Sequence, residues 1–123
     1  YGGKGFKVWS GNDPDTFSML CLGGYGVVSV ASHLVGKQIK NMINMVIDGE
    51  IEAARHEHSR MLPLFTGIFV VANPIPIKYG INRAGFNVGG PRLPLIEPDE
   101  ATTAFLDELF SQYVIDLPDC VVS

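Results

Sequence analysis

Charge is what this sequence has little of. Asp, Glu, Lys and Arg supply 18% of its 123 residues, against roughly 25% in an ordinary soluble domain. With 46% hydrophobic residues, the shortage implies a surface partly meant to be covered by other protein. Cations are also thin on the ground: nine Lys and Arg are scattered from Lys4 to Arg92, and the net charge is −4. A row of phosphates needs clustered positive side chains, so no nucleic-acid partner is expected. Long apolar runs are missing too. The best candidates, near 27–31 and 62–72, are interrupted by polar residues, Pro or Gly and fall short of the ~20 residues a membrane helix takes, so no membrane partner is expected. Cysteine is scarce: Cys21 and Cys120 have no CxxC spacing. That argues against a disulfide framework and for reduced thiols in a cytoplasmic protein. Finally, the chain opens Tyr1-Gly-Gly-Lys-Gly without an initiator Met, which reads as a cut rather than a natural start.

What is present has a clear order. Phe6-Lys-Val-Trp-Ser10 is a β-prone run that stops at Gly11-Asn-Asp-Pro14, a dense turn signal whose Asp and Pro suit a cap for the next helix. Residues 15–22 predict a short helix with Phe17, Leu20 and Cys21 at helical spacing, stopped by Gly23-Gly24, a pair able to adopt positive φ. Gly26-Val-Val-Ser-Val-Ala31 is a nearly continuous apolar and β-branched run, as in a strand covered on both faces of a parallel sheet. Strand, helix and strand form a βαβ unit. A helix over 34–47 follows, with Ile39, Met42, Ile43, Met45 and Val46 on one stripe, ended by Asp48-Gly49.

From there only helices are predicted. One spans about 50–69, with Ile51, Ala54, Met61, Leu62, Leu64, Phe65 and Ile68 on its apolar side and an interior Pro63 that should kink it. Asn73-Pro-Ile-Pro76 opens another, ending near Gly85. A Gly- and Pro-rich loop over 87–97 leads to a last helix from Pro98 to about Gln112 with acids in its first turn. Two parallel strands alone leave both edges unpaired, so further strands must come from elsewhere. A right-handed βαβ pair is the repeating unit of a (β/α)₈ barrel of about 250 residues. The expected fold is therefore α/β, the C-terminal portion of a TIM barrel contributing its last two strands (residues 1–48), followed by a C-terminal helical extension (49–123).

Four segments occur together in order: Ser10-Gly-Asn-Asp13, Gly23-Gly-Tyr-Gly-Val-Val-Ser-Val30, Asn73-Pro-Ile-Pro-Ile-Lys78 and Arg92-Leu-Pro-Leu95. With that spacing the chain resembles the dihydrodipicolinate synthase family over about residues 6–100. The resemblance implies a class I aldolase of lysine biosynthesis in which a desolvated lysine amine condenses with pyruvate. The resulting enamine attacks aspartate semialdehyde. It implies no cofactor or metal, and assembly into a homodimer or homotetramer. It also places the Schiff-base lysine and the proton-relay tyrosine before Tyr1, so no catalytic residue is expected in this chain. Two positions carry over as substrate-binding. Val28 matches the aliphatic residue whose main chain lies against pyruvate, its carbonyl and amide available, and Gly11 matches the loop glycine near the substrate carboxylate. His33 stands where related sequences often have Asn. N-acetylneuraminate lyases and keto-deoxy sugar acid aldolases share this barrel and Schiff base. A non-catalytic helical assembly module is the reading from a different class.

Other chemistry-bearing residues read as structural. Lys78 falls at a helix start rather than a strand end. His56 and His58, two apart on a helix, diverge by about 200° and cannot share one ion, so they belong to a solvated or interfacial face. Arg92, between prolines, suits pinning a carbonyl or carboxylate, and Met42 and Met45 suit the core.

Overall fold

A computed structural model describes residues 5–117. The chain runs through β1 (Trp9–Ser10), a single 3-10 turn (Asp13–Asp15), α1 (Thr16–Cys21) and β2 (Gly26–Val27). Four helices follow: α2 (Ser32–Ile47), α3 (Ile51–Gly67), α4 (Ile75–Arg83) and α5 (Glu100–Ser111). β1 and β2 pair in parallel, Trp9 opposite Gly26 and Ser10 opposite Val27. A parallel pair needs a crossover connection, and α1 supplies it.

α1 ends where the glycines stand. Gly23, at φ +93, donates its N–H to the Leu20 carbonyl at 2.9 Å, and Gly24 donates to Met19 at 2.7 Å. This pair of bonds satisfies the last carbonyls of the helix. A Cβ on Gly24 would lie 2.7 Å from the Met19 carbonyl oxygen, so the second glycine is needed for close approach. The Asp48-Gly49 stop of α2 works the same way: Gly49 donates to Val46 and Glu50 to Met45.

Both strands are shorter than expected. The ladder extends one bond beyond each end, Tyr25 N–H to Val8 O at 2.7 Å and Val28 N–H to Ser10 O at 2.8 Å. Phe6 lies outside it and is largely exposed. Val30 and Ala31 are not strand, because their amides turn to the Asp13 carboxylate and begin the first turn of α2. Beta propensity there loses to a capping bond.

The core lies among the helices. Leu34, Val35, Ile39 and Met42 of α2 pack with Ala54, Met61, Leu64 and Phe65 of α3, Ile77 and Ile81 of α4, and Leu106, Leu109 and Phe110 of α5. Met45, Ile43 and Val46 are half-buried against it. Ile51 and Leu62, expected on the apolar side of α3, are instead exposed, as is Cys21 on α1. Cys120 lies outside the described residues. α3 runs through Pro63 as one helix. Tyr79 on α4 donates to Asp107 on α5 at 2.7 Å, and Arg83 reaches the same oxygen at 2.6 Å. Burial, reinforced by that bond, holds the Tyr79 phenol above its usual range.

One break in α2 is absent from the sequence pattern. Val35 has φ −130° and ψ 36°, outside helical values, so the helix restarts with unsatisfied amides. Asp116, from the segment after α5, supplies the cap: its Oδ2 accepts from Lys37 N–H at 3.0 Å and Gln38 N–H at 3.2 Å. Its own N–H donates to the Leu34 carbonyl at 2.8 Å. The acid meets the positive end of the restarted helix, as the peptide dipoles favour.

Candidate functional site

Because β1 and β2 are parallel, their C-terminal ends lie at the same edge, and Gly11 and Val28 each follow the last strand residue there. The bond from Val28 N–H to Ser10 O holds the two ends side by side. Gly11 is exposed, and a Cβ built on it would meet nothing within 4 Å. Val28 is 72% exposed. The expectation that its amide is available is therefore corrected: the ladder consumes it. Nor does the side chain floor a pocket within the described residues, since it projects into the open.

The loop after β1 is built by polar groups. Ser10 Oγ donates to the Asn12 carbonyl at 2.7 Å and accepts from Asn12 N–H at 3.2 Å. Thr16 Oγ1 donates to the same carbonyl at 3.2 Å, and Asn12 Nδ2 donates to Asp15 at 2.9 Å. Ser10 and Thr16 are both buried, so the turn is held from below. Asp13 does something the sequence pattern conceals. It is 3% exposed, and its Oδ2 accepts from Val30 N–H and Ala31 N–H, each at 3.1 Å. It was expected to cap the helix next to it; it caps α2 instead. Its Oδ1 is buried without a partner among the described residues. The Ser29 hydroxyl completes this end of α2, accepting from Ser32 N–H at 2.9 Å.

Beside this rim, a cleft of about 360 Å³ is lined by Val30, His33, Pro74, Lys78 and Val88 among others. Both basic side chains are engaged: Lys78 Nζ donates to the Gly90 carbonyl, and His33 Nδ1 lies 2.9 Å from the Val30 carbonyl. Lys78 sits in the first turns of α4 rather than on a strand, as read. Lys7 rests 3.7 Å above the Tyr25 ring, and Trp9 packs edge-on against the same ring.

The histidine pair divides. His56 is exposed. His58, expected on a solvated or interfacial face, turns in and stacks on Phe17 with centroids 5.4 Å apart. Its Nδ1 is buried without a partner among the described residues, and burial lowers its pKa below the ordinary 6.5. No group of three metal-ligating side chains exists among the described residues. Arg92 is exposed; its carbonyl accepts from Leu95 N–H at 3.0 Å, while its guanidinium has no hydrogen-bond partner among the described residues. What the rim can do chemically is hold and shape: it presents backbone and a hydroxyl-lined turn, and its two described carboxylates, Asp13 and Asp15, are each engaged through one oxygen.

The sequence profile of the dihydrodipicolinate synthetase family matches residues 1–113. A 4-hydroxy-tetrahydrodipicolinate synthase of Dehalococcoides mccartyi is 56% identical over 113 residues, 92% of this chain and 38% of that protein. The crystal structure of dihydrodipicolinate synthase from Thermotoga maritima superposes with a TM-score of 0.83 at 40% identity, covering 87% of this chain and 36% of that one. The corresponding Aquifex aeolicus structure gives 0.86 at 34% identity, with 90% and 38% covered. The chain thus spans little more than a third of the length of the relatives it matches.

Proposed function

The chain belongs to the dihydrodipicolinate synthetase family, and on that ground we propose that the protein carrying it is a pyruvate-condensing lyase. In this reading it is a 4-hydroxy-tetrahydrodipicolinate synthase that joins pyruvate to aspartate semialdehyde in lysine biosynthesis. This chain furnishes the last two strands of a (β/α)₈ barrel over residues 1–48 and the helical domain that follows over 49–123. The nucleophilic lysine and the relay tyrosine come from the preceding strands. The single observation that carries the reading is the parallel pair β1–β2, each strand with one neighbour among the described residues, in a chain matched by this family over 1–113. An unpaired strand edge is stable only when something covers or extends it.

At the strand ends, Gly11 lets backbone approach the substrate carboxylate, since no side chain stands there. Val28 contributes its carbonyl and side chain, its amide being bonded to Ser10. Barrel enzymes place their chemistry at this end. The family resemblance further supports a homodimer or homotetramer.

The test is borohydride reduction in the presence of pyruvate, read by intact mass. The whole protein gains one reduced pyruvate, and the 123-residue chain alone gains none. An adduct on the isolated chain overturns the placement of the nucleophile, and no adduct on the whole protein overturns the reaction.

A further inference from the structure

We propose that Asp13 is a positioning residue that fixes the two substrate-facing strand ends relative to each other. The inference rests on the pyruvate-condensing reading above. Gly11 lies two residues before Asp13, and Val28 lies two residues before Val30. The Asp13 carboxylate joins these two stretches through paired 3.1 Å bonds to Val30 N–H and Ala31 N–H, across 17 and 18 residues of chain. The β ladder stops at the Val28-to-Ser10 bond. Past that bond, the other side-chain contacts on the rim are local: Ser10 and Thr16 to Asn12, Asn12 to Asp15, Ser29 to Ser32. Among the described residues, Asp13 alone crosses from one loop to the other by a side-chain bond.

Its environment suits that task better than a solvent-exposed cap does. A carboxylate that is 3% exposed is held in one geometry, and a charged acceptor makes stronger bonds to backbone N–H than a neutral one. Moving it by one methylene displaces either the Gly11 loop or the first turn of α2. The second oxygen is buried without a partner among the described residues, so only one of the two oxygens serves the bridge. An amide at this position retains that bridge with its single carbonyl oxygen.

The experiment compares whole-protein Asp13→Ala and Asp13→Asn with the unaltered protein. It measures kcat and KM for pyruvate per site that borohydride can trap, so that loss of folded material cancels. Asp13→Ala raises the KM for pyruvate about tenfold with a smaller change in kcat, while Asp13→Asn stays within about threefold of the unaltered protein. Should Asp13→Ala fail to fold, Asp13→Glu takes its place, with the same tenfold rise expected from its longer reach. An Ala or Glu variant with unaltered constants per trapped site overturns the proposal, as does an Asn variant as impaired as the Ala variant. A whole protein that traps no pyruvate before any substitution sinks the reaction and this inference together. An active protein with indifferent variants sinks the inference alone.

Discussion

His58 carries a measurable consequence of where its ring lies. Stacked on Phe17 and partly buried, it has a pKa below 6.5 in the folded chain, while the unfolded chain titrates near the ordinary value. Above about pH 6.5 both states hold the neutral ring and stability is unaffected. As pH falls from there, the unfolded state takes up a proton that the folded state refuses, so stability declines until the folded-state pKa is passed. Thermal melting at about pH 7.5 and about pH 5.5 should therefore show a drop that is smaller in His58→Leu; an equal drop in both proteins refutes the assignment. The sequence pattern hid this ring, because alternate positions on a helix diverge and nothing local says which of His56 and His58 faces a neighbour. Cys21 erred the other way: helical spacing put it beside Leu20, yet the thiol is exposed.

Among the elements, the helix stops were legible, as were the starts of α4 after Asn73-Pro74 and of α5 at Asp99, whose side chain accepts from Thr102 N–H; which acid serves α1 and α2 was not. Gly23-Gly24 and Asp48-Gly49 act within one turn, so reading them needs only the neighbouring residues. The cap of α1 was assigned to Asp13 by proximity, whereas that acid serves α2. The break at Val35 left no local signature, and its cap comes from 79 residues away. Replacing Asp116 by Ala should cost about 1 kcal/mol, the usual worth of a helix cap. Amide hydrogen exchange should quicken at Lys37 and Gln38 while the amides of α5 keep their protection. Unchanged exchange at those two positions refutes the cap. Strand lengths were overestimated for the same reason: Val30 and Ala31 have β-prone neighbours, but a buried carboxylate offers their amides a better partner.

For the molecule as a whole, several large apolar side chains are left uncovered among the described residues. Phe6, Val8, Trp9, Tyr25 and Val28 gather along the strand pair and are about half or more exposed, an arrangement unfavourable in water. On its own the chain should therefore self-associate; sedimentation velocity should show species heavier than 13.4 kDa, and a folded, monodisperse monomer refutes the need for a covering partner. The parallel pair, the helical order, the glycine stops, the helix stripe of Ile39 and Met42 and the family were all readable from residue order. Each depends on spacing within a turn or two, or on motifs kept in register. Tertiary structure alone settled which acid caps which helix, that the Val28 amide is spent on Ser10, and that His58 points inward. Those contacts join residues as far as 79 positions apart, and side-chain spacing along a chain carries no information about which distant backbone amide will arrive beside it.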